Sequence, residues 1–560
     1  MNEVNQTTLI LTPEKAHDME QQFRVVKRSV DARQKQLKVN LTLLTNDNDQ
    51  FVEKDAPIPL YEAPVFKDVH DAEHTVNIIG AGPAGLFAAL TLIEYGIKPI
   101  IYERGKDVAE RKKDIATLNR NQGLNTESNY CFGEGGAGTF SDGKLYSRSK
   151  KRGNMQRVME LFHYFGAKDN ILYEAHAHIG SDKLPSIIRA MRECIIEHGG
   201  EIHFGTCINS LSNLLHTTPH YSTLLNTTPH YSTLLNTTPH YSTLLNTTPH
   251  YSTLLNTTPH YSTPTILAIG HSAHDTYQML MDEGVLLEDK GFAMGVRAEH
   301  PQALINKLMY HDPSQELVQL LGNASYSLVT QVQGRGVYSF CMCPGGHIVP
   351  AGSAQNSCVV NGMSASHRNS PFANSGMVVE IRPEDLPPLT NFSPNIGEMA
   401  ANQRGLSTSP LKGLAFQQYV EHLAFEHGGA PSLAPAQRLK DFVEGKQSKT
   451  LPASSYLPGM VSSRMDEWLP AHIGKRLQQG FRDFDRKYRG FLTNDAVILG
   501  VESRSSSAVR IPRDPETLQS LSTPGLYPCG EGAGYAGGIT SCALDGINVA
   551  LAVVRKMEEN

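Results

Sequence analysis

The run Gly80-Ala-Gly-Pro-Ala-Gly85 constrains this chain more than any other feature. It is a G-x-G-x-x-G turn placed directly after an apolar strand beginning at Val76 and directly before an Ala/Leu-rich helix. The first glycine permits the tight turn, the second lets backbone approach a pyrophosphate, and the third lets helix and strand pack closely. The helix amino end then faces the anion. Glu103 closes the next strand, Lys98-Pro-Ile-Ile-Tyr-Glu, 23 positions after Gly80. A carboxylate there is placed to accept from a ribose 2′-hydroxyl. The reading predicts a dinucleotide site built from Gly80, Gly82, Ala84, Gly85, Glu103 and Arg104. An acid at 103 favours FAD or NAD over NADP, while Arg104 beside it blurs that choice. The window Ile78–Ile97 approaches membrane-spanning length, but four glycines, a proline and Glu94 make strand, turn and buried helix the better reading.

A second element near the C-terminus narrows the cofactor. Gly525-Leu-Tyr-Pro-Cys-Gly-Glu-Gly-Ala-Gly-Tyr-Ala-Gly-Gly-Ile-Thr-Ser reads as a strand to Cys529, a glycine-dense turn through Gly530, then a helix of small residues. Two-domain flavoproteins carry a similar motif. The resemblance implies that Glu531 meets the ribityl and pyrophosphate region. It also implies that the helix from Gly538-Ile539 points its positive end at the flavin pyrimidine ring. Thr265-Ile-Leu-Ala-Ile-Gly-His resembles the intermediate strand of that fold, with Ile269 where threonine is usual, and brings in Gly270 and His271.

Further motifs sharpen the likeness. Cys131-Phe-Gly-Glu-Gly-Gly-Ala-Gly-Thr-Phe-Ser-Asp-Gly-Lys-Leu, Gly270-His-Ser-Ala-His-Asp-Thr-Tyr, Phe340-Cys-Met-Cys-Pro-Gly-Gly, Val360-Asn-Gly-Met-Ser and Glu502-Ser-Arg-Ser-Ser-Ser-Ala-Val-Arg occur in order. Together they resemble the bacterial family of uncharacterised FAD-dependent dehydrogenases, two-domain flavoproteins of the glutathione-reductase-like type. The resemblance implies an α/β fold: a Rossmann-like FAD-binding domain, an inserted mixed α+β substrate domain and a small N-terminal α/β appendage. It makes Gly135, Gly136, Gly138 and Thr139 cofactor contacts, since consecutive unobstructed N–H groups suit a pyrophosphate or the flavin edge. It also sets Cys207, on a strand expected over Glu201–Ile208, beside the adenine.

The 560 residues divide on this reading into an appendage and linker (1–70), an FAD-binding domain in two pieces (75–290 and 491–560) and a substrate domain (291–490). A polar helix is expected from Pro13 to Arg33, then a strand from Leu37. Residues 214–263 are a decapeptide repeat, LLHTTPHYST and four copies of LLNTTPHYST. A proline every ten residues forbids a continuous helix there. Stacked hairpins and a polar loop both remain open for it. The net charge of −6 argues against a nucleic-acid binder, and eight scattered cysteines suit a reducing compartment. No basic, apolar signal opens the chain, so a cytoplasmic location off the membrane is expected.

Catalytic residues are not assigned by pattern alone. His271, Arg504, Cys341 and Lys144 are the candidates. In a strand, Cys341 and Cys343 share a face and read as core or pocket lining ahead of a redox pair. His271, His274 and Asp275 lie at a helix start without dependable metal spacing, so no metal is expected. Arg504, Ser505, Ser506, Ser507, Arg510 and Arg513 read equally as an anionic-substrate clamp or a solvated loop. With one dinucleotide fingerprint, NAD(P)H would bind transiently in the substrate cleft, or the substrate itself would reduce the flavin. The expectation is an FAD-dependent oxidoreductase acting on an unidentified small molecule. Its alternatives are a flavin monooxygenase and a catalytically silent flavin-binding protein.

Overall fold

The computed structural model describes residues 5–56, 60–145, 153–211, 263–387, 409–429 and 432–559. The decapeptide repeat, apart from Thr263, lies outside them. Five parallel strands form the sheet that carries the glycine turn, in the order Leu526–Pro528, Thr265–Leu267, Thr75–Ile79, Lys98–Tyr102, Glu201–His203. Such strands are apolar because helices cover both faces. One cover is Pro83–Glu94, in which every residue from Ala84 to Ile93 is buried. The helices Leu184–Glu197 and Ile539–Glu558 share the same apolar core.

A second, seven-stranded sheet runs Val329–Val332, Arg335–Cys343, Phe372–Ile381, Phe292–Pro301, Val497–Glu502, Ala434–Arg438, Met460–Ser462. Its neighbours are antiparallel except the last pair. Helices Lys412–Gly428 and Ala471–Lys487 close one face, burying Phe416, Phe481 and Phe484. The α/β class is therefore as the motifs imply: a parallel, nucleotide-type sheet beside a mixed α+β unit.

The N-terminal segment corrects one expectation. The helix stops at Gln22 instead of reaching Arg33, and Val25–Asp31 is a strand on the edge of a three-stranded antiparallel sheet. Val25, Val26 and Val30 supply β-branched residues that fit a pleated surface better than a helix. The strand expected over Glu201–Ile208 is likewise shorter, ending at His203 before a turn that carries Cys207 onward. Among the described residues no helix is long and apolar enough to cross a membrane.

Candidate functional site

A cleft opens where the parallel sheet meets the seven-stranded sheet, with a cavity volume of about 250 Å³. Its wall begins at the fingerprint turn. Gly80 sits at φ +103°, and a side chain there would come within 2.4 Å of the Ala268 carbonyl oxygen. Gly85 lies behind the turn, where a Cβ would fall 2.0 Å from the Gly80 carbonyl oxygen. That approach seats helix Pro83–Glu94 on the strand. Its N-cap, Gly82, offers no side-chain cap. Helix Ile539–Glu558 starts the same way at Gly538. Pro83, Ala84, Gly538 and Ile539 all line the cleft. Two helix amino ends with their orphan N–H groups thus meet one cavity, a setting that favours an anion.

Glu103 pins this wall. Its carboxylate is buried and accepts from the amides of Ala81 (2.9 Å), Gly105 (2.8 Å) and Gly133 (2.9 Å). A carboxylate has about four acceptor sites, so one remains for a ligand hydroxyl. Arg104 also lines the cleft, but its guanidinium is forked onto Asp275 (2.9 Å twice), bonds Glu127 (2.9 Å) and lies over Phe132. The 2′-phosphate role left open by its position is therefore closed off by two carboxylates.

Cys207, Gly136, Gly138, Gly270 and Glu531 line the cleft as well, whereas Gly85, Gly135, Thr139 and Gly530 do not. Thr139 is a frame residue. Its hydroxyl donates to the Glu134 carbonyl (2.7 Å) and accepts from Arg111 (3.3 Å). Arg111 itself escapes the sequence reading. Fully buried, it donates to the carbonyls of Asn129 (2.8 Å), Tyr130 (3.0 Å), Gly133 (3.2 Å) and Glu134 (2.7 Å), tying residues 129–134 into one rigid loop. Burial pulls its pKa down to about 10 against the pull of Glu103 and Glu134. Nothing in Arg111-Lys-Lys113 distinguishes it from the lysines beside it. Gly530 serves packing too, its amide donating to Asp545 (2.8 Å), which Arg513 holds bidentately.

At the far end stand Lys144, Asp142 and Cys341. Lys144 Nζ donates to the Met342 carbonyl and lies 3.7 Å from both Asp142 and the Cys343 thiol. Burial would raise the Asp142 carboxyl, but Lys144 and Arg368 (2.8 Å) outweigh it and hold the group below its ordinary value. A bulge between Phe340 and Cys343, with Cys341 at φ +45°, interrupts the two-residue period. Both cysteines still line the cleft, Cys341 exposed and Cys343 buried. Crowding by protein, despite that opening, pushes the Cys341 thiol up to about 11. Below them Arg297, fully buried, bonds Glu502 (2.7 Å), Asn374 (2.8 Å) and Asn361 (3.2 Å).

In the Arg504 cluster Arg504, Ser505 and Ser507 are buried, Ser506 and Arg513 half-buried, and Arg510 exposed. Arg504 is buried and forks onto Glu421 at 3.0 and 2.9 Å, with a further bond to Ser353 (2.8 Å). Ser505 and Ser507 donate to backbone carbonyls, and Arg510 and Arg513 both lie over Tyr535. The cation is satisfied inside the protein, which leaves no charge for an anionic substrate. His271 lines the cleft with Nδ1 3.4 Å from Glu531, and its buried Nε2 has no hydrogen-bond partner. His274 points elsewhere, to Gln418 (3.0 Å), and burial together with Arg504 lowers its pKa to about 3. Among the described residues no three His, Cys, Asp or Glu side chains gather as a metal site would need.

These residues fit a dinucleotide. Side chains added at Gly270 or Gly538 would meet no protein atom within 4 Å, so the backbone there faces open space. The uncapped helix ends suit phosphates, and Glu103 suits a sugar hydroxyl.

Residues 73–129 match a family model described as an FAD binding domain, and residues 291–505 match one described as FAD-dependent protein, C-terminal domain-like. Residues 14–45 match a domain of unknown function. An uncharacterized protein of Clostridium beijerinckii is 36% identical over 547 residues, which is 95% of this chain and 92% of that protein. Among solved structures, CtdE in complex with FAD is similar at 10% identity, covering 86% of this chain and 84% of that one, with a TM-score of 0.28. The Mycobacterium smegmatis protein Sdh1 in complex with UQ1 is similar at 13% identity, covering 87% and 69%, with a TM-score of 0.30.

Proposed function

This chain belongs to one family with its Clostridium beijerinckii relative, and from that premise we propose that it is an FAD-dependent oxidoreductase acting on a small molecule. The observation that carries the reading is the convergence of two uncapped helix amino ends and the Glu103 carboxylate on one cleft. Gly80, Gly82, Ala84 and Glu103 would hold the adenosine diphosphate half, with Cys207 and Gly270 nearby. Gly136, Gly138, Glu531, Gly538 and Ile539 would hold the flavin half. FAD, once bound, supplies the two-electron chemistry. The protein's part is to orient, to set charge and to exclude water. The amino end of helix Ile539–Glu558 stabilises negative charge in the cleft. Lys144 adds a cation fixed by Met342, and the Arg297–Glu502 pair keeps the floor rigid and neutral. NAD(P)H, admitted transiently through the cleft mouth, is the proposed reductant, in a cytoplasmic setting.

The test is the purified protein itself. It should be yellow, and its flavin absorbance should bleach when NADH, NADPH or a metabolite is added without oxygen. A colourless protein that FAD cannot reconstitute overturns the proposal. Oxygen uptake with substrate-stimulated NAD(P)H oxidation would move it to the monooxygenase class instead.

A further inference from the structure

A second, smaller chamber adjoins the main cleft behind Ser141, His271 and Asn361, with a cavity volume of about 50 Å³. Its walls are largely apolar, from Tyr130, Phe140, Val349, Ala351, Val359 and Val360. Two charged side chains reach it, and both are already neutralised: Arg504 by Glu421 (2.9 Å) and Glu502 by Arg297 (2.7 Å). An ionic ligand would have to compete with a buried, bidentate or fully hydrogen-bonded partner, at the cost of leaving that partner's charge bare. Several polar groups of the wall are already paired. Ser141 donates to the Gly138 carbonyl, and the Tyr130 hydroxyl exchanges bonds with Asn119. One buried side-chain atom of the wall lacks a partner among the described residues, His271 Nε2. The other ring nitrogen is turned toward Glu531, so the ring is oriented from the cleft side while Nε2 is left available. Buried polar atoms without partners are uncommon and call for an explanation, a ligand among them.

We infer that this chamber receives the substrate, an uncharged and mainly apolar small molecule of about one ring, carrying a hydroxyl or carbonyl that hydrogen-bonds His271 Nε2. The inference rests on the flavin reading of the adjoining cleft, because His271 and Asn361 belong to both walls and would bring that polar group to the shared opening. Shape and charge decide the class: an apolar chamber with neutralised ions rejects carboxylates and amines, and a buried imidazole nitrogen without a partner offers a bond to a ligand's polar group.

The probes are benzyl alcohol, benzaldehyde, benzoate and benzylamine, followed by titration calorimetry on the FAD-loaded protein and again after flavin removal. Benzyl alcohol or benzaldehyde should bind, and benzoate and benzylamine should bind at least tenfold more weakly. His271→Ala should weaken the alcohol roughly threefold to tenfold, as loss of one neutral hydrogen bond does. Ala351→Leu, which fills the chamber, should abolish binding without changing flavin absorbance per mole of protein. Phe140→Ala enlarges it and should improve binding of 2-naphthol, an independent check should the leucine variant fail to fold. Equal binding of benzoate, or indifference of 2-naphthol to Phe140→Ala, overturns the inference. Protein that holds FAD but binds none of the neutral probes does the same while leaving the flavin reading intact. Protein that binds benzyl alcohol but never takes up FAD sinks the flavin reading and, with it, the substrate role.

Discussion

Replacing Arg504 with methionine tests whether the cleft is built on a buried ion pair. Glu421 is 1% exposed, and its carboxylate takes two bonds from Arg504 (3.0 and 2.9 Å) and one each from Ser503 (2.6 Å) and Ser357 (3.2 Å). Burial alone would raise its pKa, yet Arg504 overrides that and holds it at about 2, against an ordinary 4.5. At 1.36 kcal/mol per pKa unit, that gap corresponds to ~3 kcal/mol of stability at neutral pH. Breaking a buried pair from one side costs a similar ~3–5 kcal/mol, because the surviving charge is stranded. For a unit the size of residues 291–505, at roughly 2–4 °C per kcal/mol, the variant should melt about 6–12 °C lower.

The pH dependence gives a second, sharper readout. In the native protein the folded carboxyl titrates below the unfolded one, so its stabilisation is present above about 4.5 and is lost as pH falls toward 2. In Arg504→Met the isolated carboxyl is pushed above its ordinary value by burial, so lowering the pH toward 5 should recover stability. Arg504→Met/Glu421→Leu, which removes both charges, should regain most of the loss at every pH. Scanning calorimetry across pH 4–8 measures all three. A single variant that costs under about 1 kcal/mol, or a double variant no better than the single, refutes the reasoning.

Other outcomes follow from the same geometry. Gly85→Ala drives a Cβ to 2.0 Å from the Gly80 oxygen, so flavin bound per mole of purified protein should fall at least about tenfold. Glu103→Gln turns one acceptor oxygen into a donor facing a backbone amide. It should cost ~1–3 kcal/mol and weaken FAD about tenfold or more in a fluorescence titration. With Cys131 and Cys207 changed to serine, Cys341 should be the thiol in this cleft that a maleimide reaches. Its rate should climb about tenfold per pH unit up to about pH 11, and Cys343 should stay silent. A rate that levels off near neutral pH would contradict the crowding described for Cys341.

What the sequence discloses here is whatever short stretches settle among themselves. The Gly80–Gly85 turn, its strand and its helix form a local unit, and Glu103 lies one strand away, so period and spacing suffice to find them. Glu421 and Arg504 are 83 positions apart, and neither carries a local mark of the other. Arg111 looks like one more surface cation until the carbonyls of the 129–134 loop fold around it. At Cys341 a bulge, which no composition rule flags, interrupts the strand and exposes one thiol, although both cysteines line the cleft. The valines of Val25–Asp31 were legible but competed with charged neighbours that suit a helix surface as well as a strand.

The parallel sheet also dictates when the protein becomes competent. Its second strand, Thr265–Leu267, is flanked by Leu526–Pro528, and the cleft's second helix amino end belongs to Ile539–Glu558, made long after the fingerprint helix. From Glu94 to Ile539 roughly 445 residues must be made before the fingerprint helix gains that neighbour. At about 5–20 residues per second, its apolar face waits some 20–90 s. Both helix amino ends meet the cleft only after that interval, through which the fingerprint helix depends on chaperones or on early docking of the elements made beside it.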